Sequence, residues 1–220
     1  MALCAEIGPA TADPTPATAR LFTRRDLAFG LAAVGFTAAT VPNDVWLTHE
    51  TTEGHSPGED RLASIASPLG NGALVFGALA ATYAASRAFH HEALAGSVSR
   101  IGASVLVSGV AVSMLKEGFG RPRPLDSPND SDDLQPFQGS TSFPSGHTTL
   151  AFALATAVSH ESHSRWVPWV LYPLAATVAW SRVHQQEHWT SDVVLGAFLG
   201  TWTAAKTERY FDLRRQSAGP

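Results

Sequence analysis

The sequence is poor in cysteine and in charged residues, and both shortages restrict what the protein can be. Its single cysteine, Cys4, excludes an intramolecular disulfide and any zinc site built from several cysteines. Charged residues make up 15% of the 220-residue chain, against about 25% in an average soluble domain, while hydrophobic residues reach 45%. This combination excludes a disordered chain. The formal net charge of −4 gives no support for a basic binding surface, so we expect no nucleic-acid partner.

The alternation of apolar and polar residues that marks a half-buried strand is also missing, and long uncharged runs take its place. These runs, rich in Ala, Leu, Gly and Val, cover residues 27–43, 62–86, 101–115, 143–160, 166–181 and 193–205. We therefore predict an all-α fold, a bundle of five to six helices. A helix needs about 20 apolar residues to cross a bilayer, and only the run 62–86 is that long by itself. The other runs reach this length only if the helix tilts or includes a polar residue. We predict membrane helices, with a soluble exported bundle as the alternative.

The N-terminal part divides into two segments before the main domain. Residues 1–19 are rich in Ala, Pro and Thr and are predicted to be a disordered leader. Residues 20–43 are basic and then apolar, which fits a first membrane helix, a signal peptide or a twin-arginine export signal at Arg24 and Arg25. Because no clear A-x-A cleavage site follows, we favour a retained helix. Residues 62–210 form the predicted main domain.

The distribution of basic residues predicts an orientation. With six spans and an inner N-terminus, the inner side carries more lysine and arginine than the outer side, as the positive-inside rule requires. The predicted inner residues are Arg20, Arg24, Arg25, Arg87, Arg165, Lys206, Arg209, Arg214 and Arg215. We therefore expect a bacterial cell membrane location with the segments described next on the outer, periplasmic face. A soluble periplasmic location is the alternative.

The first segment that can carry chemistry is 116–124, with sequence KEGFGRPRP. It ends an apolar run and leads into a loop at its prolines. Lys116, Arg121 and Arg123 together would bind an anion, because the planar guanidinium donates two parallel hydrogen bonds to phosphate. A basic flank of a membrane helix is the other interpretation.

The second segment is 142–149, with sequence SFPSGHTT, at the start of an apolar run. It predicts a helix N-terminus with Ser145 as its N-cap. The free backbone N–H groups of such a terminus bind anions, and Gly146 lets a ligand approach the backbone closely. The alternative is an ordinary cap followed by a solvent-facing His147.

The third segment, 181–192, contains Arg182, His188 and Asp192. His188 and Asp192 are four residues apart and therefore share a helix face. A carboxylate at this position can accept the Nδ1 hydrogen of the imidazole and leave Nε2 free as a nucleophile or base. The same spacing would also allow a metal site at His184, His188 and Asp192. We favour the anion-binding interpretation, because cations gathered at one site repel a metal.

The three segments in this order resemble the signature of the type 2 phosphatidic acid phosphatase superfamily, which also contains bacterial acid phosphatases and vanadium haloperoxidases. The resemblance runs from Lys116 to Asp192. It implies that His188 is the nucleophile that forms a phosphohistidine, that Asp192 orients it, and that His147 protonates the leaving oxygen. It also implies that the phosphoryl group is held by Lys116, Arg123, Ser145, Gly146 and Arg182. In this comparison Arg121 has a supporting role at most.

The resemblance implies a metal-independent phosphatase that hydrolyses phosphate monoesters or terminal pyrophosphates, with a phosphorylated lipid as the favoured substrate and a small phosphate ester as the other. We expect no cofactor. Two other functions stay open at this point. One is a vanadate-dependent haloperoxidase, in which vanadate would occupy the phosphate site. The other is a membrane protein that binds phosphorylated ligands without turnover. The sequence does not predict an oligomeric state.

Overall fold

A computed structural model describes residues 20–54, 56–139 and 141–217, so the predicted leader 1–19 lies outside the described residues. The described parts contain eight α-helices and no strand, which confirms the all-α prediction. The helices are α1 (Arg24–Thr40), α2 (Asp44–Thr52), α3 (Pro57–Ala66), α4 (Gly72–Ala88), α5 (Glu92–Phe119), α6 (Gly146–Ser162), α7 (Val167–His184) and α8 (Thr190–Ser217). The longer helices α1, α4, α5, α6, α7 and α8 correspond to the six apolar runs.

The apolar run 62–86 differs from the prediction, because it is not one continuous helix. It contains the end of α3, a 3₁₀ turn at Ser67–Gly70 and most of α4, and the two helices are bent by 57°. Pro68 lies in the turn and has no N–H for a helical hydrogen bond. The side chain of Asn71 then caps α4 by accepting a hydrogen bond from the Leu74 N–H at 3.2 Å.

The core lies around α6, which packs against α5, α7 and α8. A buried apolar cluster joins α4, α5, α6 and α8, and it comprises Val75, Ile101, Val105, Leu150, Ala153, Ala157 and Ala204. The backbones of α6 and α8 approach closely at Gly200, where a Cβ atom would lie 2.2 Å from the Thr149 carbonyl oxygen. Small residues therefore let α8 run along α6, and this contact aligns the starts of both helices.

Helix α1 packs against the middle of α8, where Phe198 and Lys206 lie. The rings of Phe29 and Phe198 meet edge to face at 5.3 Å between centroids. Lys206 forms an ion pair with Asp26 and donates a hydrogen bond to the Leu21 carbonyl at 3.2 Å. These contacts make the apolar segment after Arg24 part of the helical bundle.

One described helix, α5, is long and apolar enough to cross a membrane, with a mean hydropathy of 1.7 over its most apolar 18 residues. The bent pair of α3 and α4 adds a second candidate if it is taken as one span. The helices α1 and α6 have 17 residues each, which corresponds to about 26 Å against a hydrocarbon core of about 30 Å. Large apolar side chains are exposed along α5, namely Leu106, Val107, Val110 and Met114.

Candidate active site

The end of α5 places Lys116 beside the second motif. Helix α5 ends at Phe119 and is capped by Gly120. The φ of Gly120 is left-handed at +59°, and a Cβ there would lie 1.8 Å from the Gln135 carbonyl oxygen. Only glycine fits there, and the chain turns at once into the loop that carries Arg121 and Arg123. The Lys116 ammonium reaches across to 141–142 and donates hydrogen bonds to the carbonyls of Thr141 and Ser142.

Helix α6 begins as the sequence predicts. Ser145 is its N-cap and accepts a hydrogen bond from the Thr148 N–H at 3.5 Å through its fully buried hydroxyl oxygen. Its own N–H donates to the Asp192 carbonyl oxygen at 3.0 Å, which ties the start of α6 to the start of α8. Gly146 and His147 follow in the first turn and line an open cavity, whereas Ser145 does not line it.

The predicted pair of His188 and Asp192 forms at the start of α8. The Nδ1 atom of His188 lies 3.3 Å from Oδ2 of Asp192, and both side chains are almost completely buried. The same carboxylate oxygen accepts hydrogen bonds from the Ser142 hydroxyl at 2.5 Å and from the Trp189 N–H at 2.9 Å. Asp192 is thus held in one orientation, and the imidazole is aligned with Nε2 free of the pair.

The structure adds a buried partner for Asp192 that sequence reasoning did not predict. The Arg121 guanidinium donates hydrogen bonds from Nη1 to Oδ1 of Asp192 at 2.6 Å and from Nη2 to Oδ2 of Asp44 at 2.8 Å. Ser191 joins the group, because its N–H donates to Oδ1 of Asp44 at 2.8 Å. The sequence predicted an anion-binding or supporting role for Arg121, and Asp44 lies outside the three motifs. Both side chains are buried.

The two other cationic motif residues share one carboxylate. Glu187 forms an ion pair with Arg123, and its Oε2 also lies 3.4 Å from Nη2 of Arg182. Arg182 donates further hydrogen bonds from Nη1 to Ser67 and Gln185. Its buried Nε has no hydrogen-bond partner among the described residues, so the guanidinium keeps a donor for another acceptor.

A cavity of about 630 Å³ brings most of the predicted site residues together. Its polar end is lined by Lys116, Arg123, Gly146, His147, Arg182 and His188. Three cations and two imidazoles therefore face one space next to a helix N-terminus. Such a space suits a phosphoryl group, because phosphoryl transfer needs mainly positioning and charge stabilisation.

The geometry does not support the alternative metal site. His184 is buried against α3, and its Nε2 lies 3.0 Å from Oδ1 of Asp60. His188 instead faces Asp192 and Ser142. Among the residues that the structure describes, no group with metal-ligand geometry contains His184, His188 and Asp192.

A comparison with family models matches the PAP2 superfamily over residues 97–215, more than half of the chain. The chain belongs to the PAP2 superfamily. This match contains all three motifs and confirms the predicted resemblance. Residues 20–54 lie outside this match, and Asp44 is one of them. The buried contact between Asp44 and Arg121 therefore joins the matched region to a segment that the family model does not cover.

Among curated PAP2 relatives, the lipid A 1-phosphatase of Porphyromonas gingivalis is 36% identical over 42% of this chain and 19% of its own length. The undecaprenyl-diphosphatase of Sulfolobus acidocaldarius is 29% identical over 55% of this chain and 58% of its own length. The chain thus spans less than two thirds of these relatives. A solved structure of similar fold is a transmembrane PAP2-type phosphatidylglycerolphosphate phosphatase from Bacillus subtilis, with a TM-score of 0.65 and 18% identity over 86% of this chain and 97% of that one.

The protonation state of His188 follows from its position in the PAP2 site. Burial lowers the pKa of its imidazole below the usual value, and the nearby positive charges of Lys116 and Arg182 act in the same direction. The hydrogen bond to Asp192 opposes these effects without overcoming them. His188 is therefore neutral at neutral pH, and its Nε2 carries a lone pair when Nδ1 donates its hydrogen to Asp192.

Proposed function

We propose that the protein is a metal-independent phosphatase that hydrolyses phosphate monoesters or terminal pyrophosphates of lipids through a phosphohistidine. The observation that carries this proposal is His188, held by Asp192 and lining the same cavity as Lys116, Arg123 and Arg182. A neutral imidazole aligned in this way is a nucleophile beside a phosphate-binding set of cations.

The reaction has two steps in which bonds and protons balance. In the first, Nε2 of His188 forms a bond to phosphorus while the bond from phosphorus to the leaving oxygen breaks, and His147 gives a proton to that oxygen. Burial and the neighbouring cations lower the pKa of His147 to about 4, so His147 takes up this proton when the negative charge of the phosphoryl group enters the site and raises its pKa. In the second, His147 takes a proton from water, whose oxygen attacks phosphorus and breaks the P–N bond. Phosphate is released and His188 is free again.

The cations stabilise the charge that develops on the phosphoryl oxygens in both steps. Arg123 and Arg182 are both paired with Glu187. A phosphoryl dianion would replace this carboxylate, because it offers more acceptor oxygens and more charge to the same two guanidinium groups. The unpartnered Nε of Arg182 and the backbone N–H groups at the start of α6 supply further donors.

The shape of the cavity supports a lipid as the substrate. From the cationic end it continues between α4 and α5, where its walls are apolar: Phe76, Leu106, Gly109, Val110, Met114 and Leu150. Leu106, Val110 and Met114 are each more than half exposed, so this end opens at the surface of the bundle. A molecule with a phosphate head and a hydrocarbon tail matches both ends, and the names of the relatives agree with that substrate class.

The exposed apolar side chains of α5 and the length of that helix support a membrane location. The opposite end of the bundle from the site carries basic residues, where Arg20, Lys206 and Arg209 lie together. By the positive-inside rule this end faces the cytoplasm, and the catalytic cavity then opens on the outer, periplasmic side.

The test measures phosphate release by the purified protein in excess EDTA from a panel of lipid phosphates and lipid pyrophosphates. Wild type should release phosphate, and His188→Ala should lose at least about 10³-fold in rate. The matched control is His163→Ala, since His163 is an exposed histidine outside the cavity. A ³²P-labelled substrate should also transfer its label to wild-type protein, and acid should remove that label. The same labelling should be absent in His188→Ala, which would support the phosphohistidine. A folded wild type that releases no phosphate from any ester would overturn the proposal.

A further inference from the structure

A second group of histidine and carboxylate side chains lies far from the catalytic cavity. His160 and Glu161 stand in the last turn of α6, and Glu208 and Asp212 face them from α8. His160 is about 20 Å along α6 from Gly146 at about 1.5 Å per residue, so this group occupies the opposite end of the bundle. The catalytic mechanism uses none of these four residues.

The most unusual atom of this group is a buried carboxylate oxygen. Glu208 is 1% exposed, and its Oε1 accepts a hydrogen bond from the Ser104 hydroxyl at 2.8 Å. Its Oε2 has no hydrogen-bond partner among the described residues and lies 3.5 Å from Nδ1 of His160. A buried carboxylate oxygen without a donor is costly, so a positively charged partner is expected there.

The orientation of His160 points to the nature of that partner. Its Nε2 lies 3.1 Å from Oδ2 of Asp212. When Asp212 accepts the Nε2 hydrogen, the lone pair of Nδ1 faces Oε2 of Glu208. Two electron-rich atoms then face each other, and a positive charge between them, from a proton or a metal ion, removes their repulsion. A carboxylate behind a metal-binding imidazole is also the usual arrangement around protein-bound zinc.

The carboxylate of Glu161 lies beside this pair and can accept an ion while it keeps its hydrogen bonds to Arg100. Arg100 holds its carboxylate with hydrogen bonds from Nε at 2.7 Å and from Nη2 at 2.5 Å. A carboxylate has about four lone-pair positions, so an oxygen that accepts from arginine can still bind an ion. Nη2 of Arg215 lies 3.6 Å from Oε1 of Glu161. The group thus contains two guanidinium groups and three carboxylates, those of Glu161, Glu208 and Asp212.

We propose that His160, Glu161 and Glu208 bind a divalent transition-metal ion, with zinc as the best chemical match. Their ligand atoms all lie within 4.8 Å of one another, and small side-chain rotations bring them to the about 2.0–2.2 Å that zinc requires. Water completes the coordination. An imidazole with two carboxylates selects zinc, cobalt or manganese over magnesium. The ion connects the last turn of α6 to α8 and has no part in phosphoryl transfer.

The test titrates zinc into the full-length, untagged, metal-stripped protein and follows binding by calorimetry and thermal unfolding, with magnesium as the comparison ion. The expected result is one saturable zinc site per chain and a rise in Tm that magnesium does not produce. Cobalt should give d–d absorption bands of a nitrogen- and oxygen-ligated ion. His188→Ala should bind zinc as tightly as wild type, which separates this proposal from the phosphatase proposal.

Variants assign the site. His160→Ala and Glu208→Gln should each weaken zinc binding at least tenfold, and His163→Ala is the matched control, because its ring lies 6.3 Å from that of His160. His160 is 38% exposed at its side chain, so its replacement tests the site even if Glu208→Gln fails to fold. The absence of saturable zinc binding to wild type, or equal affinity of wild type and His160→Ala, would overturn the proposal. Glu208 would then share a proton with Glu161.

Discussion

Asp44 forms a fully buried ion pair with Arg121, with 2.8 Å between Oδ2 and Nη2. Through its other terminal nitrogen, Arg121 also holds the carboxylate of Asp192. The first short helix after α1 is therefore connected to the carboxylate that orients the proposed nucleophile. This connection makes Arg121 and Asp44 positioning residues for the site, although neither lines the catalytic cavity.

The first prediction concerns this ion pair. Asp44→Ala leaves the Arg121 charge buried with one carboxylate fewer, so we expect the free energy of unfolding to fall by about 3–5 kcal/mol. Arg121 then shifts toward Asp192, and kcat should fall more than KM rises. Chemical unfolding and steady-state kinetics measure both effects. The control is Glu50→Ala, an exposed carboxylate on the same helix. Unchanged stability in Asp44→Ala would contradict the assignment.

The second prediction concerns Glu187, which contacts Arg123 and Arg182 and, in the proposed mechanism, gives way to phosphate. Glu187 is about one third exposed, so its ion pairs contribute about 1 kcal/mol at most. We expect Glu187→Gln to tighten inhibition by vanadate, a phosphate mimic, by about fivefold. Inhibition constants measure this change, with the exposed Glu117→Gln as the control. Weaker inhibition would mean that Glu187 positions the arginines instead of competing with the ligand.

The third prediction is the pH dependence of the reaction. Burial lowers the pKa of His188, so protonation removes the nucleophile only when pH falls below the usual histidine value of about 6.5. The acid limb of kcat/KM should therefore lie below that pH. Asp192→Asn removes the charge that favours the imidazolium, so the limb should move to still lower pH while kcat falls by about 10³–10⁴-fold. A limb that moves to higher pH in this variant would contradict the coupling.

The fourth prediction tests the apolar part of the cavity. A Cβ at Gly109 would lie 3.5 Å from Cδ2 of Leu150, so Gly109→Leu fills the groove beside α4. We expect kcat/KM for a long-chain lipid phosphate to fall at least tenfold, with little change for a small soluble phosphate ester. Gly102→Leu is the control on the same helix, because its surroundings are open and it lies outside the cavity. Equal losses for both substrates would contradict a tail-binding groove.

The site was predictable wherever its geometry is local. His188 and Asp192 pair because four residues make about one helical turn, and Ser145 caps α6 because a small hydroxyl precedes a helical run. The break in the run 62–86 was present in the sequence as Pro68 followed by Asn71, a helix interruption and a cap. The lack of charge in this run favours one long helix, but these two residues interrupt it.

Charge partners far apart in the chain were not predictable. Arg121 and Asp44 are 77 residues apart, and each charge taken alone fits an exposed loop or an anion site equally well. The same is true of Glu208 and Ser104, which are 104 residues apart. The spacing of residues along the chain contains no information on which helices come together at such distances.

By itself the sequence determined the all-α class and the PAP2 family, because long uncharged runs favour helices and the three motifs each lie within one turn or helix end. Tertiary structure alone decided which charges are buried together. The close approach of α8 to α6 at Gly200 brings Asp192 to Ser145 at one end and Glu208 to His160 at the other. A buried charge is stable only beside a partner, so helix packing determines the electrostatics of both ends.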